Sequence, residues 1–201
     1  AGRPPRAVRA RVKSRTPRSP FPAVTLRTPR LTLRPVADAD APALFAIFSD
    51  RDVMRYWSRP PMADPEEAVA LVRDIQAGCA RGEALQFAVE RNGEGRAIGT
   101  CTLFHFHRAS RRAELGYALA RPHWGQGLMH EALTRLVGYA FGELGLNRLE
   151  ADIDPRNAAS ARSLARLGFR KEGTLRERWI VGDEVSDSDL YGLLRTEWPP
   201  R

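Results

Sequence analysis

Residues 24–36, VTLRTPRLTLRPV, alternate apolar and polar positions, the period of a strand with one buried face. Asp38 then stands where a helix cap is wanted, ahead of an apolar stripe at Leu44, Ile47 and Phe48. The next segment, RDVMRYWSRPP, breaks at a proline pair. Asp64, Pro65 and Glu67 predict a helix start: a capping side chain, a proline in the first turn and an acid at the third position. That helix runs to about Gly82. ALQFAVE and AIGTCTLFHFH read as two strands joined by the turn RNGEG, and RRAELGYALA as a third in series. Short connections between three successive strands predict an antiparallel meander. After Gly127 the apolar positions 128, 129, 132, 133, 136, 137, 140, 141 and 144 form a broad helical stripe that ends at Gly145. NRLEADI is a strand with Leu149, Ala151 and Ile153 on one face. NAASARSLARLGF is a helix capped by Asn157 and stopped by Gly168. FRKEGTLRERWIV and VSDSDLYGLLRTEW are closing strands that turn at Gly182 and Asp183. The order β-α-α-β-β-β-α-β-α-β-β predicts an α+β domain with one mixed, mostly antiparallel sheet of about seven strands and helices on its faces.

Composition changes this picture in one place. The net charge of +8 is unevenly distributed. Residues 1–34 hold ten basic side chains and no acid; 32 less 10 leaves 22 against all 24 acids in the remainder, a net of −2. Residues 1–23 therefore read as a basic, Arg/Pro-rich extension with too few apolar groups to offset its ordering entropy, and residues 24–201 as the globular domain. A solvated extension is the preferred reading of that tail. The alternatives are an arm that binds polyanions weakly, RNA or ribosomes among them, and an Arg-rich transit segment. Cys79 and Cys101 have no CxxC or CxxH spacing, which argues against a disulfide scaffold or zinc cluster and fits a reducing cytoplasm. No run of eighteen apolar residues predicts a membrane span.

The candidate chemistry begins at PHWGQGLMHEAL, residues 122–133. A strand ends near Ala120, a tight turn follows, and a helix starts near Gly127. The first N–H groups of that helix lack intrahelical partners and, with the helix dipole, suit a phosphate or pyrophosphate. Gly125 and Gly127 leave the backbone open to close approach. No lysine-serine pair follows, which argues against a nucleotide-hydrolysing P-loop, and the pattern is not the GxGxxG of a dinucleotide fold.

Strand AELGYAL, then WGQGLMHEAL, then DPRNAASARSLARLGF, then a closing YGLLRTEW together resemble the GNAT superfamily of acyl-CoA N-acyltransferases over residues 24–198. The chain looks most like the RimJ/RimL branch, which acetylates protein N termini and related amines. The resemblance implies a three-layer fold with helices on both sheet faces, acetyl-CoA as co-substrate and no metal. The family's pyrophosphate pattern, Q/R-x-x-G-x-G/A, falls on Trp124, Gly125, Gln126, Gly127, Leu128 and Met129. Trp124 is similar to many members of this branch, whereas Met129 departs from the usual glycine or alanine. The resemblance also implies that the backbone of Leu115, Tyr117, Ala118 and Leu119 pairs with the pantetheine arm, with the N–H near Tyr117 as an oxyanion donor. By period two, Glu114, Gly116 and Ala118 share a face, whose small side chains would leave room for that arm.

The same resemblance implies further roles. Glu114 matches the position of a general base; its bland alternative is a surface pair with Arg111 or Arg112. Ser160 stands where this branch carries a serine that protonates the departing thiolate; an ordinary first-turn serine is the alternative. Leu164 stands where many other members place a tyrosine acid. Asn157 binds pantetheine and caps its helix at once, or only caps it. Tyr56 and Trp57 fall on the acceptor wall, or in the core. His105 and His107, on one face of a strand end by period two, flank the acceptor mouth or sit in solvent, with no third ligand for a metal. Cys101 reads as buried and inert.

These residues predict a cytoplasmic acetyl-CoA-dependent N-acetyltransferase, monomeric or homodimeric, in which the amine attacks the thioester within a ternary complex. An α-amine, pKa near ~7.8, needs roughly 3.5 kcal/mol less deprotonation at neutral pH than a lysine near ~10.4, which favours a protein or peptide N terminus with a single carboxylate base. A polyamine, amino acid or aminoglycoside is the alternative acceptor, favoured if Asp183, Glu184, Asp187 and Asp189 line the acceptor cleft. A ribosome- or RNA-associated protein using the fold as a scaffold is the alternative of another class.

Overall fold

The computed structural model describes residue 21 and residues 24–198. The reading of the basic extension therefore lies almost wholly outside the described residues. Phe21, within it, packs its ring 4.7 Å from that of Phe106.

Among the described residues eight strands form one sheet in the order β1-β2-β3-β4-β5-β6-β8-β7. They are β1 (Leu26–Arg27), β2 (Leu31–Pro35), β3 (Leu85–Arg91), β4 (Ala97–His107), β5 (Arg112–Leu119), β6 (Arg148–Ile153), β7 (Arg170–Val181) and β8 (Glu184–Leu194). The expected strand over residues 24–36 is two strands, which raises the count from about seven to eight. Its alternation continues through Thr28-Pro29-Arg30, but there the chain turns back and β1 pairs antiparallel with β2. The meander β3–β4–β5 is antiparallel as expected, and β5 pairs parallel with β6.

Among the described residues five α-helices cover the two faces: α1 (Ala41–Phe48), α2 (Arg51–Met54), α3 (Pro65–Arg81), α4 (Leu128–Gly142) and α5 (Ala158–Arg166). Strand alternation sorts the core. Phe87 and Val89 join Leu133, Leu136 and Leu164 of α4 and α5, while Ala88 and Ala118 join Leu44, Ile47 and Val72 of α1 and α3. Each fully buried leucine contributes roughly 2 kcal/mol of apolar burial. The start of α3 is as the sequence predicts. Asp64 accepts from the Glu66 N–H at 2.9 Å, Glu67 accepts from the Asp64 N–H at 3.0 Å, and Gly82 ends the helix at φ 69°.

Asp38 does not cap α1. It lies in a 3-10 turn and accepts from the Gln76 amide, and the helix begins three residues on, at Ala41. The carboxylate that fixes this corner is Asp40. Its two oxygens accept from Arg34 at 2.7 and 2.8 Å, and one also accepts from the Ala37 N–H at 2.8 Å. Burial alone would raise the Asp40 pKa, but the Arg34 and Ala37 bonds outweigh it and hold the carboxyl below its ordinary value. A carboxyl depressed by folding stabilises the fold above its unfolded pKa, and that contribution disappears as pH falls through the lower folded value. Asp40→Asn is expected to cost about 2–3 kcal/mol at pH 7 by leaving Arg34 half-satisfied. The deficit should shrink below a pH of about 4. Denaturant unfolding of both proteins at pH 7 and pH 3 reads it.

Candidate active site

The parallel ladder of β5 and β6 stops at Glu114 and Glu150, although β5 stays paired to β4 as far as Leu119 and β6 to β8 as far as Ile153. The two strands therefore part beyond Glu114. An ion-pair network braces the fork: Glu150 accepts from Arg112 at 2.6 Å and Arg148 at 2.8 Å, and Arg148 reaches on to Glu172 of β7. Alternation says which backbone groups face the opening. The Ala120 N–H donates to Ile98 O at 2.8 Å, toward β4, so the N–H and C=O groups of Leu115, Tyr117 and Leu119 point toward β6. Trp124 takes one of them, its indole N–H donating to Leu119 O at 2.7 Å.

The turn that follows has the geometry its glycines imply. Gly125 and Gly127 lie at φ 73° and 72°, a left-handed conformation that favours glycine. A Cβ at Gly125 would meet nothing within 4 Å, and one at Gly127 only Arg30 Nη2 at 3.7 Å. The first intrahelical bond of α4 runs from the Glu131 N–H to Gly127 O, so the Leu128 and Met129 amides ahead of it have no partner within the helix. The Leu128 and Met129 side chains are buried, Met129 Sδ lying 3.6 Å from Cys101 Sγ. Only their backbones serve the turn. The Gln126 amide folds back to Pro122 O at 3.0 Å. The space before the glycines, the unpartnered amides and the opened β5 edge together fit a pyrophosphate with a narrow amide-bearing arm.

Arg30 is a residue the sequence did not single out. Its guanidinium donates to Gln126 O at 3.0 Å and to Glu131 at 2.6 Å, while Thr28 donates to Glu131 at 2.6 Å. Burial pushes the Glu131 carboxyl up, but these bonds outweigh it and keep it below its ordinary value. The β1–β2 turn thus clamps the first turn of α4 and sets a positive charge beside it.

A cavity of about 1070 Å³ opens where β5 and β6 part. Glu114, Tyr117, Asn157 and Ser160 line it, as do Tyr56, Trp57 and His105. Glu114 is not paired with Arg111 or Arg112; its Oε1 lies 3.0 Å from His105 Nδ1. The two histidines are not on one face. β4 carries a one-residue bulge between Phe104 and His107, with His105 at φ 49°, so the period-two argument fails there. His105 turns into the cavity, whereas His107 is absent from its lining and accepts from the Ser110 N–H at 3.2 Å. Gly116 and Ala118 serve the protein's own packing. A Cβ at 116 would come 3.2 Å from the Phe104 ring, and Ala118 is buried under α1 and α3. Leu115 is thus available to a ligand through its backbone, whereas the Ala118 N–H and C=O turn toward β4, so the expected pairing of Ala118 with the pantetheine arm does not fit the strand's alternation.

Asn157 caps α5 by accepting from the Ser160 N–H at 3.0 Å. The Ser160 hydroxyl is 2.6 Å from the Tyr117 hydroxyl. Burial pushes the Tyr117 phenol up, against the opposing effect of Ser160, to about 12. The sequence pointed to the Tyr117 backbone; the pairing of its side chain with Ser160, 43 residues away, carries no local signal.

Asp152 is a second missed residue. It lines the cavity from β6, accepts from Ser188 and lies 3.6 Å from Arg178. Burial raises its pKa and Glu114 adds to the rise, while Trp179 and Arg178 oppose it. Its polar place in NRLEADI, opposite Leu149 and Ala151, was the available signal. The acids of the last hairpin do not form a free cluster. Asp189 binds Lys171 and Thr174, Asp187 accepts from the Glu177 N–H, and Glu184, which does line the cavity, pairs with Arg156 at 2.6 Å.

Cys101 is fully buried, and burial pushes its thiol up, away from thiolate reactivity. Among the described residues, no group of three or more His, Cys, Asp or Glu is placed to hold a metal ion. No described helix is long and apolar enough to cross a membrane.

The acetyltransferase (GNAT) domain family matches residues 30–170. An uncharacterized N-acetyltransferase, p20, from Bacillus licheniformis is 36% identical over 87% of this chain and 98% of its own length. The ribosomal protein uS5-alanine N-acetyltransferase of Escherichia coli (strain K12) is 32% identical over 91% of this chain and 97% of its own. The solved structure of Mycobacterium smegmatis RimJ in complex with CoA-disulfide superposes with a TM-score of 0.76 at 29% identity, covering 89% of both chains.

Proposed function

The chain belongs to the GNAT family of N-acetyltransferases, and from that premise we propose that its acceptor is the α-amine of a protein or peptide N terminus. The observation that carries this reading is the fork of β5 and β6 at Glu114, which sets a carboxylate free of arginine partners at the head of an open strand edge. One such carboxylate suits an amine that titrates near neutrality better than a lysine side chain. The likeness to an enzyme named for the alanine terminus of uS5 supports the same class of acceptor.

Acetyl-CoA, when bound, supplies an acetyl thioester to attack and a thiolate to leave. In the proposed site the amides of residues 125–129 hold the pyrophosphate, and the β5 edge at Leu115 and Tyr117 holds the pantetheine amides. The Tyr117 N–H faces the opening and stabilises the developing oxyanion. Glu114, held by His105, takes the proton from the incoming amine. Ser160 gives a proton to the departing sulfur and regains one from solvent, while the Tyr117 hydroxyl 2.6 Å away holds it in place. Tyr56 and Trp57 wall the acceptor side.

The test is thiol release from acetyl-CoA with a panel of acceptors: peptides with a free N terminus, the same peptides with only a lysine amine free, and spermidine. The expected result is a kcat/KM for α-amines at least tenfold above the other two. A preference for spermidine or for the lysine amine would overturn the acceptor assignment and leave the acetyl-transfer reaction standing.

A further inference from the structure

The segment joining α1 to α3 puts three arginines, Arg51, Arg55 and Arg59, on one wall of the cavity. Acids elsewhere on the segment are engaged: Asp50 and Asp52 pair with Arg121, and Glu67 accepts from the Ala63 and Asp64 N–H groups. None of the three arginines has an ion-pair partner among the described residues. Arg59 is the most constrained of them. Its guanidinium lies 5.1 Å over the ring of Phe48, which in turn meets Trp57 edge-on at 5.4 Å. The Arg55 guanidinium lies 5.3 Å over Tyr56, and that of Arg156, already paired with Asp154 and Glu184, lies 5.8 Å over the same ring. The facing wall, from β5 and β6, carries the carboxylates Glu114 and Asp152. The cavity thus carries acids where an amine must lose its proton, Asp152 shared with Arg178, and guanidinium groups without an ion-pair partner among the described residues on the segment between α1 and α3.

We propose that this wall is a carboxylate subsite, with Arg59 as its anchor, and that the acceptor carries an anionic carboxylate close to its reacting amine. The proposal rests on the acetyl-transfer reading and narrows its substrate class. A partly buried guanidinium stacked on an aromatic ring has lost hydration without gaining an anion. Burial lowers the Arg59 pKa, and Glu67 opposes this only from a distance. Guanidinium stays charged in proteins, so a carboxylate from the acceptor offsets the cost, and its planar fork favours bidentate capture. A polycation such as spermidine offers nothing to this wall. The carboxylate has two chemical sources: an acidic side chain just after the N terminus of a peptide, or the α-carboxylate of a free amino acid.

Two matched pairs of acceptors separate those sources. One is a C-terminally amidated heptapeptide with Asp or Asn at its second and third positions. The other is free alanine against alaninamide. Thiol release gives kcat/KM, and calorimetry on the enzyme holding CoA gives binding independently of turnover. At least one pair is expected to favour the carboxylate member tenfold or more. Arg59→Met should collapse that ratio to under twofold, and Arg59→Lys should restore part of it. Ratios near one in both pairs for the unaltered protein would overturn the subsite, as would a ratio that survives Arg59→Met. Should Arg59→Met not fold, the unaltered protein and Arg59→Lys decide. Brisk turnover of neutral peptides with ratios near one would remove the subsite and leave the α-amine reading intact. Turnover confined to spermidine would remove the α-amine reading, and the calorimetric ratios would still decide the subsite.

Discussion

Glu114→Gln is expected to lower kcat/KM for an N-terminal peptide by about 10²–10³-fold at pH 7, the usual contribution of a positioned proton acceptor. The glutamine keeps the size of the side chain and a hydrogen-bond acceptor for His105, so the cavity and its walls should persist. What is lost is a place for the proton. The acceptor fixes how that loss depends on pH. An α-amine near ~7.8 is almost wholly ammonium at pH 6, where the deficit should be greatest. At pH 9.5 the free amine dominates, and the deficit should fall to within about tenfold. Acetyl-CoA affinity should be unchanged, because the carboxylate lies at the fork and not along the phosphate turn. Asp152 is the rival base. Burial raises its pKa, which suits a proton acceptor, but Ser188 and Arg178 already occupy it. If Asp152→Asn lost more activity than Glu114→Gln at pH 6, with Glu114→Gln near the parent rate, the base would be Asp152.

How the site became legible follows from the range of the interactions that build it. The shape of the glycine turn was readable because its signal is local: two glycines that must take positive φ, set between a strand and an apolar helical stripe. The capping box of α3 and the meander are local in the same sense. The errors occur where a distant residue decides. Alternation through residues 24–36 is unbroken in sequence, yet the chain folds back at Pro29 and is held there by Glu131 through Thr28 and Arg30, about a hundred residues away. Asp38 looked like a cap until Asp40 found Arg34 across the corner. His105 and His107 obey period two only if the strand is regular, and a histidine at φ 49° inside a bulge leaves no mark in composition. The Tyr117–Ser160 pair and the fork bounded by Glu114 and Glu150 are products of the sheet order, which places β5 beside β6 only after α4 has crossed between them. Asp183, Glu184, Asp187 and Asp189 counted as an acid cluster on paper. In three dimensions three of them are bonded elsewhere, to a backbone amide, a lysine and an arginine.

Gly127→Val is expected to weaken acetyl-CoA binding by on the order of 100-fold or more. Two separate costs contribute. At φ 72° any L side chain is strained by about 1–2 kcal/mol, and a β-branched one more, so the protein should lose stability even without ligand. The second cost falls on the ligand. The Cβ position at 127 is open on the protein side apart from Arg30 Nη2 at 3.7 Å, so the added carbons enter the space in front of the Leu128 and Met129 amides. Losing two charge-assisted bonds from such amides costs roughly 3–5 kcal/mol, which corresponds to a factor of ~100 or above. Gly145→Ala separates the two. Gly145 also has positive φ, 64°, with nothing within 4 Å of its Cβ position, but it lies beyond the far end of α4. It should therefore lose stability through strain while keeping acetyl-CoA affinity. Calorimetric titration of both variants, with thermal unfolding to confirm that each is folded, reads the difference. If folded Gly127→Val bound acetyl-CoA as tightly as Gly145→Ala, the pyrophosphate would have to lie elsewhere. The two left-handed glycines would then be needed only to turn the chain from β5 into α4.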